Sequence, residues 1–442
     1  MNAASFLRRL LGRSRAGRDT QNLVSLCEAL LGDRGEVSGA ALARQALAAY
    51  QGLDERSRKE FFDALAQEFA PSPEAVGKAA DAYRYDPTPQ NLIQLQQVVD
   101  AARQELFRRL NMAPGGTEML VAMRRELLRG LKKHPAWSAI EADLLHLFRS
   151  WFNRGFLRLE RIDWRTSALV LEKLIQYEAV HAVQGWGDLR RRLAADRRCF
   201  GFFHPQLPDE PLIFIEVALT QGLSSQVQPL LDVGSQVAAP ERADTAIFYS
   251  ITNCQEGLRG ISFGNLLIKQ VAEELKREFP HLRTFATLSP VPGFRRWLEA
   301  TETRVRLSVG QNAEERLAML SAIEAPDWQC REVPEPLQTL LLRLCAWYLL
   351  HAKQGTEPLD PVARFHLGNG AALERLNWLG DSSASGMARS AGLMVNYVYR
   401  LEDVERNHER YFADHAVVAS RAVEKLARKS PLAAPAEKRA EA

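Results

Sequence analysis

Two glycine signatures are missing from this chain: it has no G-x-G-x-x-G and no G-x-x-x-x-G-K-[ST]. Their absence removes a Rossmann dinucleotide site and a P-loop. Cysteine is scarce, with five residues (Cys27, Cys199, Cys254, Cys330 and Cys345), odd in number and without a C-x-x-C pair. That usage argues against a disulfide framework and a zinc site and suits a reducing cytoplasm. The nine histidines show no H-x-x-x-H or H-E-x-x-H spacing, so no metal-ligand set is visible. No apolar run approaches the roughly 18 residues that span a bilayer, and the start lacks a secretory apolar region. Charge of one sign is also lacking: the formal net charge is +3, with acids and bases interspersed. Neither nucleic acid nor a membrane surface is therefore expected as a partner.

What is present is an ordinary globular composition, 46% hydrophobic and 25% charged over 442 residues, enough for about two to three domains. The pattern predicts a basic arm over 1–20, a helical module over 21–150, a mixed α/β domain over 151–429 and a disordered tail over 430–442. In the helical module Asp54 and Ser72 read as N-caps. Pro87 and Pro89 introduce one long amphipathic helix carrying Leu92, Leu95, Val98, Val99, Ala102, Leu106 and Leu110. This module suits self-association better than substrate recruitment. Beyond residue 150, strand-like runs at Leu212–Leu219, Ala246–Ile251 and Thr284–Leu288 alternate with helical stretches. Helical spacing returns from Pro336 to His351 and from Asp403 to Lys429.

Four segments carry chemistry. The strand ending at Ile251 runs into Gly257-Leu258-Arg259-Gly260-Ile261-Ser262-Phe263-Gly264-Asn265 before the amphipathic segment Leu266–Phe279. A strand that breaks at a glycine-rich turn and re-enters as a helix presents free N–H groups and a positive dipole end, which is an anion site, although a plain turn fits the loop alone. Ser289 ends a strand and is followed by Pro290 and Pro292, whose fixed φ stiffens the turn; it is not set in a G-x-S-x-G elbow. His366, in Phe365-His366-Leu367-Gly368-Asn369-Gly370, is a candidate general acid or a structural histidine. Tyr397 and Tyr399 share one face of a strand by alternation, so that one phenol can reach a site while the other packs.

Taken in order, Gly257–Asn265, Arg277–Leu282, Leu288–Phe294, Phe365–Ala371 and Gly392–Tyr399 resemble the malonyl-CoA decarboxylases. The resemblance implies an α plus α/β fold, a helical oligomerisation domain before a domain similar to the GNAT acetyltransferases. It implies conversion of malonyl-CoA to acetyl-CoA and carbon dioxide without metal or organic cofactor, through a thioester enolate protonated at C2, by a homotetramer or dimer of dimers. It places Ser289, His366 and Tyr399 at catalytic positions. The chemistry then suits Ser289 orienting the malonyl carboxylate or the enolate and protonated His366 donating to C2, or the two roles exchanged. Arg259, Gly260, Ile261, Ser262, Phe263, Gly264 and Asn265 take the place of the coenzyme A loop. Ser262 stands where some members have Glu, so no carboxylate role transfers there. The loop, Arg259-x-x-Ser262-x-Gly264, also has kinship with the R/Q-x-x-G-x-G/A loop of acetyltransferases, which keeps acyl transfer to an amine and non-catalytic coenzyme A binding as alternatives.

Overall fold

The computed structural model describes residues 15–32, 36–100, 102–261, 267–325, 328 and 333–433, and the chain forms two compact units. The first spans residues up to Arg158 together with Phe203–Pro211 and Gln255–Phe263. The second contains Leu159–Phe202, Leu212–Cys254 and the chain from Gly264 onward.

The first unit is helical: α1 (Arg15–Leu31), α2 (Glu36–Gln51), α3 (Glu55–Gln67), α4 (Pro73–Tyr85), α5 (Pro89–Val99), α6 (Ala102–Asn111), α7 (Gly116–Gly130) and α8 (Ser138–Trp151). Asp54 and Ser72 cap α3 and α4 as expected, their side chains accepting from the Ser57 and Ala75 N–H groups. Two expectations change. Residues 15–20 belong to α1 rather than to an arm, with Thr20 buried under its bond to the Ser57 carbonyl; residues 1–14 and the tail from 434 lie outside the described residues. The long helix after Pro89 is two helices, because Asp100 leaves the helical region at the end of α5. The seven apolar residues therefore do not form one buried stripe: Leu106 and Leu110 on α6 are core, while α5 buries no residue at all.

The Gln255–Phe263 segment packs on α7. Arg124, almost wholly buried, donates from Nη1 to the Gly257 carbonyl at 2.6 Å and from Nη2 to Glu141 at 2.6 Å. Arg129 pairs with Glu256. Gly257 admits no side chain, since a Cβ would stand 2.0 Å from the Val121 carbonyl oxygen.

The second unit is a mixed sheet with helices: β1 (Arg158–Ile162), α9 (Ala168–Tyr177), α10 (Trp186–Arg192), β2 (Arg197–Phe203), β3 (Ile213–Thr220), β4 (Thr245–Asn253), α11 (Leu267–Glu278), β5 (Thr284–Thr287), β6 (Ser289–Pro290), α12 (Phe294–Glu299), α13 (Glu335–His351), α14 (Pro361–Gly368), β7 (Ala372–Asn377), β8 (Met394–Val398), α15 (Val404–Asp414) and α16 (Arg421–Arg428). Strand order is β1-β2-β3-β4-β5-β8-β6, with β7 on the other edge of β8. The β4–β5 pair is parallel, and β2–β3, β3–β4, β5–β8, β6–β8 and β7–β8 are antiparallel. The three expected strands are in place, as is the order of a helical part before a mixed α/β part. The single helical stretch expected from Asp403 to Lys429 is instead α15 and α16, broken where His415 takes a positive φ.

Apolar residues from four strands, among them Ala218, Ile247, Ala286 and Met394, close the core beneath the sheet. The β4–β5 ladder ends at the Phe248–Thr287 pair, because the chain beyond Leu288 turns to pair Ser289 with Val395 of β8. That divergence separates the end of β4 from β6. In the helical unit, replacing Gly257 by Ala should cost about 2 kcal/mol through overpacking against Val121. A lowered thermal midpoint checks this, and an unchanged one would show that the loop yields freely.

Candidate active site

The site is built where three short segments of the second unit meet. Asp360 caps α14, its Oδ1 accepting from the Val362 and Ala363 N–H groups at 2.9 Å each, and Pro361 takes the first helical position, where its missing N–H costs nothing. The helix is short, so His366 falls in its last turn and points into the unit rather than to solvent. Gly370 then turns the chain at φ +81°, so close to the Val404 carbonyl that a Cβ would lie 2.1 Å from it. Ser289 is fixed by its place in β6 and Tyr397 by β8, which is irregular between Asn396 and Tyr397; Tyr399 follows β8 directly, its N–H donating to the Phe285 carbonyl at 2.8 Å.

These segments bring Ser289, His366 and Tyr399 together. Ser289 Oγ lies 2.9 Å from His366 Nε2, and Tyr399 Oη lies 2.8 Å from His366 Nδ1. Ser289 Oγ donates to Thr287 Oγ1 at 2.8 Å, which uses its one proton. The imidazole must then donate from Nε2 to Ser289 and accept at Nδ1 from the Tyr399 hydroxyl. Tyr397 stacks on the imidazole, with ring centroids 4.6 Å apart and planes at 27°, and its N–H donates to Thr287 Oγ1 at 3.2 Å. Thus both tyrosines serve the histidine, one through its hydroxyl and the other through its ring.

Burial governs the electrostatics. His366 is 3% exposed and faces no carboxylate, so desolvation pushes its pKa down to about 3. The imidazole is therefore neutral at pH 7 in the protein without substrate. Burial likewise drives the Tyr399 phenol well above its ordinary value and keeps it a hydrogen-bond donor. A cavity of ≈ 250 Å³ opens beside the pair, lined by Ser289, His366, Phe365, Phe248, Ser250 and Asn253.

The loop 259–265, expected from sequence to hold coenzyme A, is only partly described. Arg259 and Gly260 face solvent, with Gly260 at φ +81°, and Ile261 is buried. These three belong to the helical unit, whereas Ser289, His366 and Tyr399 belong to the other. Ser262, Phe263, Gly264 and Asn265 lie outside the described residues. Thr287 and Asp360 were not singled out from sequence; only the packing that places them around Ser289 and His366 reveals them. Among the described residues, no group of three or more His, Cys, Asp and Glu side chains is placed to hold a metal ion.

Residues 155–440 match the model of the malonyl-CoA decarboxylase C-terminal domain, and residues 69–152 match that of the malonyl-CoA decarboxylase N-terminal domain. The chain belongs to the malonyl-CoA decarboxylase family. It is a decarboxylase, a carboxy-lyase. Mitochondrial malonyl-CoA decarboxylase of Anser anser anser is 37% identical over 406 residues, 85% of this chain and 81% of the relative. The crystal structure of malonyl-CoA decarboxylase from Rhodopseudomonas palustris matches with a TM-score of 0.86 at 50% identity, covering 92% of this chain and 99% of that one. That from Agrobacterium vitis matches with 0.84 at 48%, with coverages of 92% and 99%.

The depressed pKa has a sign that can be tested. Free imidazole titrates near 6.5 and folded His366 at about 3. Between these values only the unfolded chain takes up the proton, so this residue's contribution to stability is lost as pH falls below about 6.5. The thermal midpoint of the wild type should therefore drop further between about pH 7.5 and about pH 5 than that of His366→Gln. Parallel drops would mean that the histidine is protonated in the folded protein.

Proposed function

We propose that Ser289, His366 and Tyr399 carry the decarboxylation of malonyl-CoA to acetyl-CoA and carbon dioxide. The observation that carries this reading is the buried chain from Tyr399 through His366 to Ser289, opening on a cavity beside the diverging ends of β4 and β6. Breaking the bond between C2 and the carboxylate leaves its electron pair in a thioester enolate, so the site must supply donors to the thioester oxygen and one proton to C2. The net reaction takes one proton from solvent. In the free enzyme His366 is neutral, and the malonyl carboxylate brings a negative charge beside Nε2 that favours the imidazolium. The added proton goes to Nδ1, where the Tyr399 hydroxyl turns from donor to acceptor; the Nε2 proton leaves for C2, and exchange with solvent restores the resting tautomer. Acetyl-CoA carries no carboxylate, so the ring returns to neutrality on product formation. Ser289, held by Thr287 and the two prolines, orients the reacting group, and Tyr399 fixes the ring through Nδ1.

Support for the acyl carrier comes from β4, whose last residues toward Asn253 have no strand on the β5 side among the described residues. The amide-bearing arm of coenzyme A is suited to such a strand edge. The loop 259–265 is assigned to its phosphates, on the chemistry of Arg259 and of a helix beginning. No helix among the described residues is long and apolar enough to cross a membrane. The reading of a reducing cytoplasm is supported by Cys27, Cys199 and Cys345, buried thiols outside any disulfide among the described residues, of which burial pushes Cys27 up to about 12.

Self-association is assigned to the α4–α5 hairpin of the helical unit. Tyr85, Leu92, Ile93 and Val99 are exposed on it, and α5 buries nothing. An apolar face without a partner within the protomer suits a second copy of the chain, consistent with a tetramer or dimer of dimers.

His366→Ala and Ser289→Ala should each lower kcat for malonyl-CoA by about 10²- to 10⁴-fold, read as carbon dioxide release, with circular dichroism reporting the fold. Near-native turnover by either folded variant removes that residue from the mechanism. Free coenzyme A released from acetyl-CoA with an amine, without carbon dioxide from malonyl-CoA, would favour acyl transfer. Ile93→Asp should shift the light-scattering mass toward the monomer; an unchanged mass places the interface elsewhere.

A further inference from the structure

The stiff turn after Ser289 has few ways to be anchored. Of residues 289–293, Pro290 and Pro292 have no N–H to donate, so the turn is tied to its surroundings chiefly through Val291 and Gly293. The Gly293 N–H donates to the Asp360 carboxylate. Asp360 is 1% exposed, and its Oδ1 is the cap of α14, the helix that carries His366. Its Oδ2 lies 3.5 Å from the Tyr348 hydroxyl of α13 and faces Gly293. One carboxylate thus binds backbone from both segments that contribute to the Ser289–His366 contact.

We propose that Asp360 is a positioning residue for the decarboxylation: it clamps the Ser289 turn to α14 and thereby sets the 2.9 Å separation of Ser289 Oγ and His366 Nε2. The inference rests on the reading that those two side chains perform the chemistry. A carboxylate that only capped the helix would be replaceable at a cost in stability, without effect on the chemical step. A clamp acts on geometry, and a misplacement of about 1 Å at reacting atoms costs on the order of 10²-fold.

Gly293 shows how tight the junction is. A Cβ there would stand 2.5 Å from the Tyr348 hydroxyl oxygen and 3.8 Å from Asp360 Oδ2. Substituting Gly293 therefore pushes the turn away from Asp360 while leaving both cap bonds on α14 intact. Removing the Tyr348 hydroxyl makes room again.

The test uses the full chain with malonyl-CoA. Asp360→Ala should lower kcat by about 10- to 100-fold with KM within about twofold. Asp360→Asn keeps an amide oxygen for the two cap N–H groups but turns its NH2 toward the Gly293 N–H, from which it cannot accept, so it should keep the fold and stay impaired in kcat. Gly293→Ala should lower kcat similarly, and Gly293→Ala with Tyr348→Phe should regain about tenfold or more over Gly293→Ala alone. Should Asp360→Ala fail to fold, the Gly293 pair decides by itself. The proposal is overturned if folded Asp360→Ala keeps kcat within about threefold, if Asp360→Asn is as active as the wild type, if KM rises instead of kcat falling, or if Gly293→Ala is fully active or is not recovered by Tyr348→Phe. Inactive His366→Ala and Ser289→Ala beside active Asp360→Ala would end this inference alone. Active His366→Ala and Ser289→Ala would end the reading on which it rests.

Discussion

Everything at the site depends on a histidine kept out of water without a counter-charge. His366 is enclosed by the Tyr397 ring, the Tyr399 hydroxyl and Ser289, and each of these neighbours is neutral. A buried imidazole in that setting holds no proton of its own at pH 7, yet its ring is locked in position and tautomer by two hydrogen bonds. Such a group is primed by the charge of what binds to it. A carboxylate substrate supplies that charge and a thioester product does not, which lets one residue gain and lose a proton in step with the reaction.

The scaffold meets this demand with divergence and with rigid turns. Ending the β4–β5 ladder at Phe248 and Thr287 sends Ser289 across to β8, which at once opens the cavity and puts the hydroxyl in front of α14. The α14 helix is only 8 residues long, capped at Asp360 and stopped by the positive φ of Gly370, so the histidine is aimed by both of its ends. In the helical unit, Arg124 and the missing side chain of Gly257 hold the first turn of the glycine-rich loop. That turn belongs to the helical unit, and Ser289, His366 and Tyr399 belong to the unit with the sheet.

Much of this could be read from residue order. Strand-length apolar runs and the Asp54 and Ser72 caps follow from local rules, because burial periodicity and capping act over a few residues, whereas Ser289 and His366 were candidates only through the order of motifs along the chain. The helix break at Asp100 was not legible, since Ala102, Leu106 and Leu110 continue the spacing of Leu92 and Leu95 and only the observed backbone at Asp100 interrupts it. Thr287 looked like one more strand threonine, and Asp360 like an ordinary residue before a proline. Their importance lies in contacts with residues far along the chain.

The sequence by itself determined the family and the kind of chemistry and marked Ser289 and His366 as candidates for it, because residue types, proline stiffness and motif order are local properties. The tertiary structure alone decided the charge state of the histidine, which follows from desolvation and from the absence of a neighbouring carboxylate. It alone decided that Tyr399 bonds the ring while Tyr397 stacks on it, since alternation puts both on one face and the choice rests on where α14 lies. Asp360 and Thr287 acquired their roles the same way, from distances that close only when segments far apart in the chain are packed together.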